Sequence, residues 1–237
     1  MKATIIVLAL AAAAAPGVRA SSILTGLCNT GTTASVCTPV LPNNGVVDGN
    51  FSVFTTAVPA PYQAITYINA AYYQPTLADA ADWITTAVGG VPTNALGEFD
   101  YTETFTANVT GSVTITGDWY TDDCGALVAP GGTITSGGTI GGGLACTSDT
   151  FHNFNNPTPF SIVMPVIGGN NYSLEFEVEN TLGATGLLVT NLTGTCTQGS
   201  ACTSTAPEPS SAIMALAGLA LLGIGTRLRW AKTLKSC

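Results

Sequence analysis

Gly97-Glu98-Phe99-Asp100-Tyr101-Thr102-Glu103-Thr104-Phe105-Thr106-Ala107-Asn108 carries a large apolar side chain at Phe99, Tyr101 and Phe105, with Glu103 in the same register. A period of two sends alternate side chains to opposite faces of an extended chain, so this segment predicts a strand with one buried face. Residues 111–120 repeat the pattern with Val113 and Ile115 and then reach Trp119. Further strands are read at 160–166, 172–178 and 186–192, divided by Gly168-Gly169-Asn170-Asn171 and by residues 181–185. Upstream, 51–58 reads as a strand. Residues 62–73, with Tyr62, Ile65, Tyr67, Ile68, Tyr72 and Tyr73, read as a strand pair. Residues 78–87 are the one helical candidate, although Trp83-Ile84 also suits the start of a strand. Residues 121–143, rich in glycine and threonine, predict a strand and then a long surface loop. Residues 21–50 are loop-like, with Asn43-Asn44-Gly45 and Asp48-Gly49 as turn signals. Short strands at regular spacing with Gly/Asn turns predict an all-β fold, an antiparallel β-sandwich.

The charges are unevenly placed. All fourteen acidic residues lie between Ser21 and Thr226, a span without a single lysine or arginine. The six basic residues are Lys2, Arg19, Arg227, Arg229, Lys232 and Lys235. The formal charge of −8 for the whole chain therefore understates the central part, which is close to −14. Such a surface repels phosphate backbones, which excludes nucleic acid as a partner, and it repels anionic polysaccharide unless divalent cations intervene.

The two ends read as targeting segments. Lys2, the apolar run 4–15, Pro16-Gly17 and Val18-Arg19-Ala20 form a signal peptide over residues 1–20, with cleavage before Ser21. At the other end, residues 206–237 hold Pro207-Glu208-Pro209, an apolar run at 212–225 and the basic tail. That run is at the short edge of what spans a hydrocarbon core of about 30 Å, and the cations behind it mark a cytoplasmic flank. The expected organisation is a signal peptide, a β-sandwich ectodomain over 21–205, and a C-terminal transmembrane helix within 206–237.

Pro-Glu-Pro, a small apolar helix and a basic cluster, in that order, resemble the PEP-CTERM sorting signal. The resemblance implies exosortase as a partner that recognises Pro207, Glu208 and Pro209. It also implies attachment to the inner membrane before processing, and then a cell-surface or extracellular location within exopolysaccharide or biofilm. The chain departs from the family in continuing from Trp230 to Cys237 past the arginines, which leaves Cys237 without a family role.

A second, longer resemblance is to the galactose-binding-like jelly roll. It is carried by Val113-Thr-Ile-Thr-Gly117-Asp118-Trp119-Tyr120-Thr121-Asp122-Asp123, by Phe154 with Pro159-Phe160, and by Gly169-Asn170-Asn171 with Leu174, Phe176, Val178 and Asn180. Thr185-Gly186-Leu187-Leu188-Val189 completes it. The chain departs from that family at 130–145, where Pro-Gly-Gly replaces the usual Leu-Asn-Gly turn between Cys124 and Cys146. The resemblance implies that Trp119 and Phe160 are core, and that a structural calcium sits near the first strand.

Six of the seven cysteines lie in the exported part, and an even set in an oxidising compartment reads as disulfides, with fifteen connectivities open. Sequence proximity favours Cys28–Cys37, Cys124–Cys146 and Cys196–Cys202. With one histidine and no Cys-x-x-Cys, zinc is a poor alternative. Asp118, Asp122 and Asp123, joined by Asp48, are candidate calcium ligands because a hard cation needs several oxygens; the same residues also read as a solvated acidic turn. Trp83, Tyr120, Phe151 and Phe154 are candidate carbohydrate contacts, since flat rings complement the C–H faces of sugars.

For catalysis the central part offers His152 and no lysine or arginine, and no Gly-x-Ser-x-Gly elbow is present. A non-enzymatic surface protein with a structural or weak carbohydrate-binding role is the reading that follows. The alternative is a secreted glycan hydrolase using carboxylates such as Asp122 or Glu103.

Overall fold

The computed structural model describes residues 23–204, apart from 34–36, 40–44, 56–61, 77–78, 89–90, 93–94, 145, 147–152, 182 and 201. The chain divides at Thr203/Ser204 into two units, and the sandwich is the first. In chain order its strands are β1 (Leu24–Thr25), β2 (Thr32–Thr33), β3 (Thr38–Pro39), β4 (Phe51–Phe54), β5 (Tyr62–Thr66), β6 (Ile84–Val88), β7 (Val91–Pro92) and β8 (Gly97–Ala107). They continue as β9 (Val109–Asp122), β10 (Cys124–Val128), β11 (Thr133–Ser136), β12 (Thr139–Ile140), β13 (Thr158–Val166), β14 (Asn171–Asn180), β15 (Gly186–Cys196) and β16 (Thr203–Ser204).

A six-stranded sheet runs β1-β8-β14-β10-β12, with β4 also on β8. An eight-stranded sheet runs β11-β13-β9-β15-β6-β5, with β16 on β9 and β7 on β6. Strands β2 and β3 form a small hairpin apart from both. From β8 to β15 the chain changes sheet at every step, so no two consecutive long strands pair with each other.

The period-two rows make the core. Phe99, Tyr101, Glu103, Phe105 and Ala107 of β8 and Leu174, Phe176 and Val178 of β14 point inward from the first sheet. They meet Val113, Ile115 and Trp119 of β9, Ile162 and Met164 of β13, and Leu187 and Val189 of β15. On the outer face of the first sheet, Glu175, Glu177 and Glu179 alternate with the buried row and stay half-exposed.

The alternation breaks in three neighbouring places. Trp119 to Asp122 of β9, Ile84 to Ala87 of β6 and Gly186 to Thr190 of β15 are buried on both faces. A second apolar layer explains this: Tyr72, Trp83, Tyr120 and Leu188 form a separate buried cluster on the outside of the second sheet, with Tyr67, Tyr73 and Phe154 packed against it.

Three segments differ from the reading of the sequence. Residues 78–87 form no helix among those described. Ile84–Val88 is instead strand β6, held between β5 and β15, where β-branched Ile84, Thr85 and Thr86 suit a sheet. Residues 121–143 are not mainly a surface loop: β10, β11 and β12 occupy them, because Pro130-Gly131 and Gly137-Gly138 make turns tight enough to leave short strands between. Likewise 62–73 gives one strand, β5, and then the irregular start of the aromatic layer.

The N-terminal segment 26–33 is a strap that ties the two sheets together. Thr30 N–H donates to the Val189 carbonyl at 3.2 Å, and its hydroxyl accepts from Val189 N–H at 3.0 Å. Asn29 accepts from Leu192 N–H at 2.9 Å, and Asn50 donates to the Thr32 hydroxyl at 2.7 Å. Gly31, at φ +71°, passes so close to Asp82 that an added Cβ would lie 2.5 Å from the Asp82 Cβ. Gly31→Ala is therefore expected to cost about 2 kcal/mol from left-handed strain and steric clash. An unchanged urea midpoint would show that the strap does not lie this close.

Candidate functional site

All three disulfides pair as proximity favours: Cys28–Cys37, Cys124–Cys146 and Cys196–Cys202.

Of the carbohydrate candidates, the structure brings Trp83, Tyr120 and Phe154 into the outer aromatic layer; Phe151, like His152, lies outside the described residues. Within the layer Trp83 is 1% exposed, packs against Tyr72 with ring centres 4.6 Å apart and planes tilted by 46°, and donates its indole N–H to the Tyr73 carbonyl at 2.7 Å. Tyr120 is buried beneath Tyr73, ring to ring at 5.1 Å and 10°. Both rings are thus internal packing. The half-buried rings at the rim are Tyr67, Tyr73 and Phe154. Tyr67, Tyr72 and Tyr73 were not singled out from the sequence, and their signal was the aromatic density of 62–73.

The four aspartates proposed for calcium do not converge; each is held by a protein donor. Asp48 accepts Gly31 N–H at 2.6 Å on one oxygen and Asn50 and Phe51 N–H at 2.7 and 3.1 Å on the other. It closes the 48–51 turn, and burial raises its carboxyl above the ordinary value. Asp118 accepts from the Asn191 amide at 2.9 Å. Asp122 accepts the Tyr72 hydroxyl at 2.6 Å beneath the aromatic layer. Asp123 accepts Thr181 N–H and hydroxyl at 2.8 and 2.7 Å. Asp122 and Asp123 take up opposite partners where the chain leaves the second sheet at β9 and enters the first at β10.

The carboxylates that do gather among the described residues are Glu98, Asp100 and Glu177, on the outer face of the first sheet, with oxygens within 4.8 Å of one another. Burial, then the charges of Glu98, Glu175 and Glu177, pushes Asp100 up to about 6.

Glu103 and Asp122, the candidate hydrolytic carboxylates, are on different sheets and both buried. Glu103 is 0% exposed in the inward row of β8. It accepts Cys28 N–H on Oε1, and Oε2 has no hydrogen-bond partner. Burial raises it well above the usual carboxyl range, with the Asp48 charge adding to the rise.

Asp82, beside the strap, is 5% exposed; one oxygen accepts Trp83 N–H at 2.9 Å and the other has no partner. Burial pushes it up to about 6. A raised acid binds its proton more tightly when folded. Its stabilising contribution is complete below the unfolded value near 3.8 and is lost as pH rises through about 6. Asp82, Asp100 and Glu103 share this sign. The melting temperature is therefore expected to rise by several degrees on going from about pH 8 to about pH 5, at roughly 2–4 °C per kcal/mol for a domain of this size. Asp82→Asn should raise it at the alkaline end and flatten the slope. A melting temperature that falls monotonically over this window would refute the assignment.

The architecture is that of an all-β protein of two antiparallel sheets. Residues 205–229, which follow the last described strand, match the PEP-CTERM protein-sorting motif. No curated protein is significantly similar to the chain. The matched motif, the expected signal peptide at 1–20, the apolar run and Cys237 lie outside the described residues. Among the described residues, no helix is long and apolar enough to cross a membrane.

Proposed function

We propose that this is an exported, non-enzymatic surface protein that exosortase sorts through its C-terminal motif and cleaves near Pro207-Glu208-Pro209. The observation that carries the reading is the match of 205–229 to the sorting motif. Before processing the apolar run holds the chain in the inner membrane; afterwards the acidic sandwich stands at the surface or in the extracellular matrix. We read the sandwich as a galactose-binding-like jelly roll. The segments that resemble that family, around Trp119, Phe176 and Leu187, supply its central paired strands and its core, which supports the reading. Its duty is structural, with weak contact to neutral polysaccharide at the rim formed by Tyr67, Tyr73 and Phe154.

The test is the mass of the surface protein from cells with and without exosortase. Loss of the residues beyond the motif only when exosortase is present is the expected result. A mature protein that still contains Leu221 would overturn the processing step. A glycan array, run with and without calcium, tests the binding role. Hydrolysis of exopolysaccharide that disappears in Asp122→Asn or Glu103→Gln would replace this reading with an enzymatic one.

A further inference from the structure

The strap at 26–33 is fastened to both sheets. Its second-sheet fastenings, through Thr30 and Asn29, are neutral hydrogen bonds. Its first-sheet fastenings are the pairing of β1 with β8 at one end, the Asn50 amide on Thr32 at the other, and between them Cys28 N–H on Glu103, with Gly31 N–H on Asp48.

Glu103 is an unusual fastening point. It sits in an apolar row between Tyr101 and Phe105, and opposite Phe51 on β4 and Leu174 on β14. Its Oε2 is sealed from water and unpartnered. A charge there has no cation to compensate it, because no lysine or arginine exists between Ser21 and Thr226, and the Cys28 N–H offsets only part of the effect of burial. The ionisable group that bears on it from outside its own strand is Asp48, another carboxylate, whose two oxygens are already occupied by backbone N–H groups. On its own strand, Tyr101 is the near titratable neighbour, and burial holds its hydroxyl protonated. An ion in such a place is strongly disfavoured. A neutral carboxylic acid avoids that cost and still accepts the Cys28 N–H.

We propose that the strap is a proton-held latch, closed when Glu103 is the neutral acid and loosened from the first sheet when Glu103 ionises. Ionisation strengthens the Cys28 N–H bond to Oε1, but burial outweighs that bond, so hydration of Oε2 becomes favourable and the strap that covers it gives way. The strap then remains attached through Thr30 and Asn29 to β15, so opening is local and the sandwich persists. The raised Glu103 fixes the direction: the latch is closed on the acid side and opens as pH rises through its folded value.

Hydrogen exchange on the full-length protein tests this, with rates corrected for the intrinsic pH dependence of amide exchange. Between about pH 5 and about pH 9 the peptide spanning 24–33 should lose about tenfold in protection, while the β9 peptide 111–120 keeps its own. Glu103→Gln, neutral at every pH and nearly isosteric, should keep the strap protected throughout. Two results would overturn the latch: a strap whose protection does not change with pH, or a change that survives in Glu103→Gln. A third would do so as well. If calcium restored protection at alkaline pH in the wild type and not in Glu103→Gln, a cation rather than a proton would be the occupant.

Discussion

Reduction of the three disulfides is expected to unfold the sandwich at a temperature where the oxidised protein is stable. The bridges close segments of 9, 22 and 6 residues. In the chain-entropy account each removes freedom from the unfolded state, worth about 3 kcal/mol for the longest segment and roughly 2–3 for the others. Their combined worth is comparable with the whole stability of an ordinary domain, about 5–15 kcal/mol. The Cys124–Cys146 bridge should matter most among single removals, because it closes the longest segment and anchors β10 where it enters the first sheet. Thermal melts by circular dichroism with and without reductant, and of Cys124→Ser/Cys146→Ser, give the answer. A reduced protein melting within a few degrees of the oxidised one would show that the β-core alone suffices.

Trp119→Ala is the substitution with the largest expected cost, about 3–5 kcal/mol as for other buried tryptophans. Its ring is wholly buried between the sheets, lies 5.7 Å from Phe176, and reaches within 3.3 Å of where a Cβ on Gly125 would sit. Its indole N–H donates to the Gly137 carbonyl at 2.9 Å, which fixes the β11–β12 turn. Gly137 is held there at φ +65°, with a Cβ position only 2.0 Å from the Pro159 carbonyl oxygen. Deleting the ring thus opens a cavity and frees a turn together. Trp119→Phe separates the two effects: it keeps most of the volume and loses the hydrogen bond, for about 1–2 kcal/mol. Urea unfolding of both variants measures the costs, and a Trp119→Ala midpoint close to the wild type would contradict the burial described.

Much of the sandwich was legible because its strands obey one rule. Phe99, Tyr101 and Phe105 in β8, and Leu174, Phe176 and Val178 in β14, fall inward as their spacing dictates. The same spacing placed Glu103 inward, yet a carboxylate invites a chemical reading, and only the fold shows it enclosed by Phe51 and Leu174. The disulfides were legible because each joins near neighbours. The strap was not, since Asn29, Thr30 and Thr32 are residues typical of exposed loops, and their burial depends on partners such as Val189, far along the chain. Of the aromatic candidates Trp83, Tyr120 and Phe154 share one layer, the first two as internal packing, because whether a ring faces water depends on the layer above it. Tyr72 and Tyr73 supply that layer from a stretch whose spacing suggested strands. Each of the aspartates takes an amide or hydroxyl donor of the protein.

The alternation of sheets from β8 to β15 also governs when the molecule can exist. Phe105 must await Tyr172, and Trp119 must await Thr158 and then Val189. A newly made strand among these finds a partner neither immediately before nor immediately after it, so assembly depends on distant segments and is intrinsically slow. Only residues 197–204 separate the end of β15 from the sorting motif. A chain threaded through a membrane from its N-terminus could form its early hairpins on the way, but its two sheets would first be able to close on each other when β15 emerges, just ahead of the sorting address.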